Sequence, residues 1–134
     1  MDNQVTEKKT NNRSVILVCD DHRDVNLLMM KILKKYNYDV LCAFNSDECI
    51  KIFNDRWRDI DLVIMDFNIA TLSGPELGKI LKTINPDVKF LFTSGNCLEV
   101  CKRKFGLEGN LNFIGKPFRP VELYEKVTKI LNGG

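Results

Sequence analysis

Val15-Ile16-Leu17-Val18-Cys19 is five apolar residues in a row, cut off abruptly by Asp20-Asp21. A half-buried strand alternates apolar with polar residues, so an unbroken run marks a strand covered on both faces, as in a parallel sheet. Leu62-Val63-Ile64-Met65 repeats the device and stops at Asp66. Residues 39–44, 88–92 and 111–114 predict three further strands. Between these runs the period changes. From Asp24 onward, Val25, Leu28, Met29, Ile32, Leu33 and Tyr36 recur at helical spacing, and Ser46 is placed as the N-cap of a helix bearing Ile50, Phe53 and Trp57. Gly74-Pro75 opens a third helix with Leu77, Ile80, Leu81 and Ile84; its proline sits where a missing N–H costs nothing, and Asn85-Pro86 stops it. Residues 97–105 predict a short fourth helix, and Pro120 begins a fifth with Val121, Tyr124, Val127 and Ile130 or Leu131. Five strands alternating with five helices imply a parallel sheet covered on both faces, and right-handed crossovers leave few topologies for it.

The 134 residues fit one domain, expected over residues 14–132, and residues 1–13 read as a flexible polar leader. A net charge of +2 lacks the broad basic footprint that nucleic acid requires, and Lys34-Lys35 and Lys102-Arg103-Lys104 read as solvated helix faces. No apolar stretch approaches the ~18 residues of a membrane span. The leader lacks the apolar core of a secretory signal, so the cytoplasm is the expected compartment. Five cysteines make an odd count, which fits small buried thiols better than disulfides. Cys97 and Cys101 are four apart, but with His22 the sole histidine nothing completes a zinc set around them.

Ligands of such sheets sit beyond the carboxyl ends of the strands. The first strand delivers Asp20 and Asp21 there, the third Asp66, the fourth Ser94 and the fifth Lys116. Three converging carboxylates repel one another unless a cation is present. Mg2+ suits them, because it takes hard oxygen ligands and commonly joins one or two carboxylates to a phosphate. A carboxylate nucleophile, a lysine and a hydroxyl are also the parts of a phosphoryl-transfer site, where catalysis is mostly positioning and charge neutralisation. His22 beside the acids reads as a solvated loop histidine.

The pieces ILVCDD (16–21), LVIMDFN (62–68), Gly74 eight positions after Asp66, FTSG (92–95) and FIGKPF (113–118) resemble, in order and spacing, the receiver domain of two-component response regulators. The resemblance implies a flavodoxin-like fold, strand order 2-1-3-4-5, and a signalling switch rather than an enzyme with a released product. It implies that Asp66 is the phosphoacceptor and that Asp21 ligates Mg2+ directly with Asp20 assisting. The backbone carbonyl of Asn68 joins the metal, Ser94 is the switch hydroxyl, and Lys116 precedes a Pro117 whose peptide bond is usually cis. Phe113 matches the aromatic that turns inward on activation, changing the surface of the fourth helix, fifth strand and fifth helix. The implied partners are a histidine kinase or phosphotransfer protein, a downstream protein target, and a second copy docked through that same surface; neither nucleic acid nor membrane is bound directly.

Thr93 and Ser94 compete for the switch role. Gly95 favours Ser94, since a small residue follows the switch position in the family. Phe113 lacks a hydroxyl, so its movement rests on packing alone. The family's acceptor segment usually reads Asp-x-x-Met-Pro, whereas Ile69-Ala70 stands here, which is expected to loosen the loop. Arg119 replaces a small capping hydroxyl, and Asn96 lies where family members tune phosphoryl lifetime. Other classes fit less well. A binding module that is never phosphorylated conflicts with the full acid and lysine set. An aspartyl-nucleophile phosphatase wants an acid where Asn68 stands, and a flavin carrier wants a phosphate loop after the first strand.

Overall fold

The computed structural model describes residues 13–133, so the expected leader lies outside the described residues apart from Arg13. Strands and helices alternate along the chain: β1 (Val15–Cys19), α1 (Arg23–Lys35), β2 (Asp39–Ala43), α2 (Ser46–Arg56), β3 (Ile60–Asp66), α3 (Gly74–Ile84), β4 (Phe90–Ser94), α4 (Leu98–Phe105), β5 (Phe113–Gly115) and α5 (Pro120–Leu131). All pairings are parallel and the order is β2-β1-β3-β4-β5, the doubly wound order the resemblance implied.

Successive strand side chains face opposite ways, and each face acquires its own core. Ile16, Val18, Leu62, Ile64, Leu91 and Ile114 lie under α1 and α5. Leu17, Cys19, Val63, Met65 and Phe92 meet Phe53 of α2, Leu77 and Leu81 of α3, and Cys101 of α4. This double coverage is why β1 is buried at all five positions, while β2 at the sheet edge is mostly half-buried. Burying one such Leu or Ile contributes roughly 2 kcal/mol, so the central strands anchor the sheet whose ends carry the site.

Three boundaries differ from expectation. The N-cap of α2 is Asn45, whose side chain accepts the Glu48 N–H at 2.8 Å. Ser46 is the first helical residue instead, buried, with its hydroxyl 2.6 Å from Thr71 Oγ1. Asn caps as well as Ser, so the adjacent pair could not be ordered by propensity. β4 covers Phe90–Ser94 rather than 88–92, because pairing of Asp66 with Thr93 and Ser94 with Gly115 holds the polar residues inside the ladder. β5 is likewise shorter and later than 111–114.

Gly74 ties α3 to the end of β3. A Cβ there would stand 2.6 Å from the Asp66 carbonyl oxygen and 3.1 Å from Phe67 Cα, both backbone atoms that cannot step aside. Gly74→Ala is therefore expected to cost about 2 kcal/mol by overpacking, read as a lower urea midpoint with an unchanged slope. An unchanged midpoint would mean that α3 is free to move away.

Candidate functional site

The end of β1 is held by a side chain the sequence reading overlooked. Asn26 is fully buried in α1 and donates through Nδ2 to the carbonyls of Asp20 (3.1 Å) and Ala43 (2.9 Å), with a longer contact to Val18 (3.4 Å). It therefore pins the ends of β1 and β2 where the acids emerge. The signal was available: Asn26 is a polar residue beside the apolar stripe of α1.

Asp20 and Asp66 are buried, and Lys116 Nζ bridges them, 2.8 Å from Asp20 Oδ2 and 3.2 Å from Asp66 Oδ2. Burial by itself would lower the Lys116 pKa. The hydrogen bond to Asp20 and the charge of Asp66 outweigh it, so the ammonium is held above its ordinary 10.5. The Lys116–Pro117 peptide bond is cis, as the resemblance implied.

Asp21 faces the same space. Its Oδ2 accepts the Ala70 N–H at 3.2 Å, while its buried Oδ1 accepts no hydrogen bond. A proline at position 70 has no N–H to give, so the departure from Met-Pro supplies a tether between the loop after Asp66 and Asp21. The expected loosening is offset at that point. Asn68 donates its N–H to Asp66 Oδ1 at 3.1 Å and accepts Lys104 Nζ on its side-chain oxygen at 3.4 Å. Thus the third residue of the Lys102-Arg103-Lys104 cluster touches the loop after Asp66.

Asp20, Asp21, His22 and Asp66 each offer one donor atom, all within 4.8 Å of one another. A group of carboxylates around an unsatisfied buried oxygen fits a hard divalent ion. Asp21→Asn should raise stability by about 1 kcal/mol in metal-free buffer, since one of three crowded charges goes while an acceptor for Ala70 stays. The same variant should lose the Mg2+-dependent rise in melting temperature; an undiminished rise would place the ion elsewhere.

Ser94 and Thr93 are both buried. Thr93 is the register partner of Asp66, shares the α1/α5 face with Leu91, and its hydroxyl lacks a hydrogen bond. Ser94 lies on the opposite face with Phe92, whose register partner is Phe113, and its Oγ accepts the Asn96 N–H at 3.0 Å. Phe113 is half-buried. A second overlooked residue, Phe67, stacks on Phe92 at 4.8 Å and Phe105 at 5.6 Å and meets Phe113 at 6.0 Å. The residue after Asp66 therefore lies against Phe113. Arg119 caps α5 only through its backbone, whose N–H Glu122 Oε1 accepts at 2.6 Å. All five cysteines are free, with Cys97 exposed and Cys101 buried.

The model of the response regulator receiver domain matches residues 16–128. The sensor kinase CckA of Brucella abortus (strain 2308) is 27% identical over 118 residues, which are 88% of this chain and 12% of CckA. The transcriptional regulatory protein YrkP of Bacillus subtilis (strain 168) is 32% identical over 113 residues, 84% of this chain and 47% of YrkP. The chain thus spans less than half the length of either. Among solved structures, a receiver domain protein from Clostridium thermocellum aligns with a TM-score of 0.79 at 26% identity, covering 89% of this chain and 94% of that one.

Proposed function

This chain belongs to the response regulator receiver domain family, and from that premise we propose that Asp66 accepts a phosphoryl group from a histidine kinase or phosphotransfer protein. The observation that carries the proposal is the Lys116 ammonium bridging Asp20 and Asp66, with Asp21 completing one acidic cluster. Asp21, Asp66 and the Asn68 carbonyl would hold Mg2+, with Asp20 assisting. The ion supplies charge neutralisation for the carboxylates and the incoming phosphoryl oxygens.

The chain's own groups do the rest. A carboxylate oxygen of Asp66 attacks phosphorus as the bond to the donor breaks, and the electron pair leaves with the donor's nitrogen or oxygen. Lys116, already within reach of Asp66, stabilises the charge that develops on the transferred group. Ser94 then leaves the Asn96 N–H for a phosphoryl oxygen. Phe113 follows it inward, and Phe67 offers a second packing route from the acceptor to the same aromatic. The output is a changed α4-β5-α5 surface, read by a downstream protein or a second copy.

No helix among the described residues is long and apolar enough to cross a membrane, and we assign the domain to the cytoplasm with its kinase. The test is incubation of the protein with acetyl phosphate and Mg2+, followed by mass mapping and by NMR with beryllofluoride. One phosphoryl group on Asp66, with resonances of Ser94 and Phe113 displaced, is the expected result. An unmodified chain would favour a receiver-like binding module that is never phosphorylated.

A further inference from the structure

We propose that Lys104 couples α4 to phosphorylation: its ammonium exchanges the amide oxygen of Asn68 for an oxygen of the group on Asp66, and so moves the last turn of α4. The inference rests on Asp66 being the phosphoacceptor of the proposed function. Two consecutive residues of that turn meet the two residues that follow Asp66. Lys104 Nζ donates to Asn68 Oδ1 at 3.4 Å, and the Phe105 ring stacks on Phe67 at 5.6 Å, 10° from parallel. Asn68 in turn gives its N–H to Asp66 Oδ1 at 3.1 Å, so a single residue links the ammonium to the acceptor carboxylate.

Charge decides what Lys104 does there. Asp20 and Asp66 already share Lys116. Among the described residues, the Lys104 ammonium meets the amide oxygen of Asn68 and, at 5.4 Å, the ring of Phe105, but no carboxylate. At 3.4 Å the amide contact is long for a hydrogen bond, and Lys104 is exposed, so it is readily given up. A phosphoryl group brings up to about two negative charges and three acceptor oxygens. An ammonium is drawn to such an anion more strongly than to an amide dipole.

The helix is built to transmit the pull. Its eight residues, Leu98–Phe105, make a rod about 12 Å long. The rod ends firmly, with Gly106 left-handed at φ 64° and the Leu107 N–H returned to the Lys102 carbonyl at 2.8 Å. Ser94 and Asn96 lie just before its first turn and Lys104 in its last. A pull at one end tilts a rod; a pull at both ends shifts it as a body.

The test is NMR of the full chain with beryllofluoride and Mg2+, beryllofluoride standing in for the phosphoryl group. In wild type the amides of Phe105 and Gly106 should be displaced together with those of Ser94 and Phe113. In Lys104→Met the displacement at Phe105 and Gly106 should be largely lost while Ser94 and Phe113 still move. Beryllofluoride affinity should fall about threefold, the contribution of one exposed ion pair. Lys104→Arg should restore both readouts. Lys102→Met, which removes the same charge from the same turn, should behave as wild type and so separates contact with the anion from a general effect on the helix dipole. A Lys104→Met chain whose last turn responds like wild type, or a Lys102→Met chain that loses the response equally, overturns the inference. A wild-type chain in which Ser94 and Phe113 also stay still removes the parent reading instead.

Discussion

Asp66→Asn is expected to abolish phosphoryl incorporation from acetyl phosphate and Mg2+ while leaving a folded protein. An amide of the same size keeps an oxygen for the Asn68 N–H, now 3.1 Å from Asp66 Oδ1. It is no nucleophile, because its nitrogen lone pair is delocalised into the carbonyl. Lys116 retains Asp20 at 2.8 Å, so the ammonium is not left unpaired. Intact-mass spectrometry after equal incubation reads the result. A phosphoryl increment persisting on the D66N protein, mapped to Asp20 or Asp21, would show that the acceptor had been misassigned.

Lys116→Met should act on stability and chemistry together. The lysine side chain is 18% exposed and its two partners are nearly fully buried, so its removal leaves two carboxylates facing each other without a cation. Breaking a buried pair from one side costs about 3 kcal/mol, since the remaining charges lose their compensation. Added Mg2+ should recover part of that loss by supplying the missing positive charge. Labelling of Asp66 should slow by about 10²–10³-fold, the usual consequence of deleting a charge stabiliser. A variant as stable as wild type would mean that the Asp20–Lys116–Asp66 bridge contributes nothing.

The pH dependence has a definite sign. The folded pKa of Lys116 lies above 10.5, so the bridge contributes fully below 10.5 and is lost as pH climbs through the folded value. The stability gap between wild type and the K116M protein should therefore stay constant through neutral pH and narrow only above about pH 10.5. Denaturation at a series of alkaline pH values reads it. A gap that closes at neutral pH contradicts the bridge.

Much of this molecule follows from short-range chemistry. Val15–Cys19 and residues 62–65 are apolar at every position because two layers of helix cover them, and that demand alone announces a parallel sheet. The topology then carries Asp20, Asp21, Asp66 and Lys116 to one edge, because ligand-facing loops follow the carboxyl ends of parallel strands. Boundaries of weaker strands were less legible. β4 keeps Thr93 and Ser94 in its ladder through pairing with β3 and β5, a cross-chain hydrogen-bonding matter that local composition does not encode.

Orientation is where three-dimensional packing took over. That Asn26 would tie two strand ends, that Ala70 would lend its N–H to Asp21, and that His22 would turn from its helix toward two carboxylates all depend on distant segments. Each contact joins residues whose relative placement is set by the sheet rather than by neighbours in the chain. Periodicity reports which face a residue occupies; only the packed fold determines what its polar atoms meet there, because unpaired buried groups search whatever lies within reach.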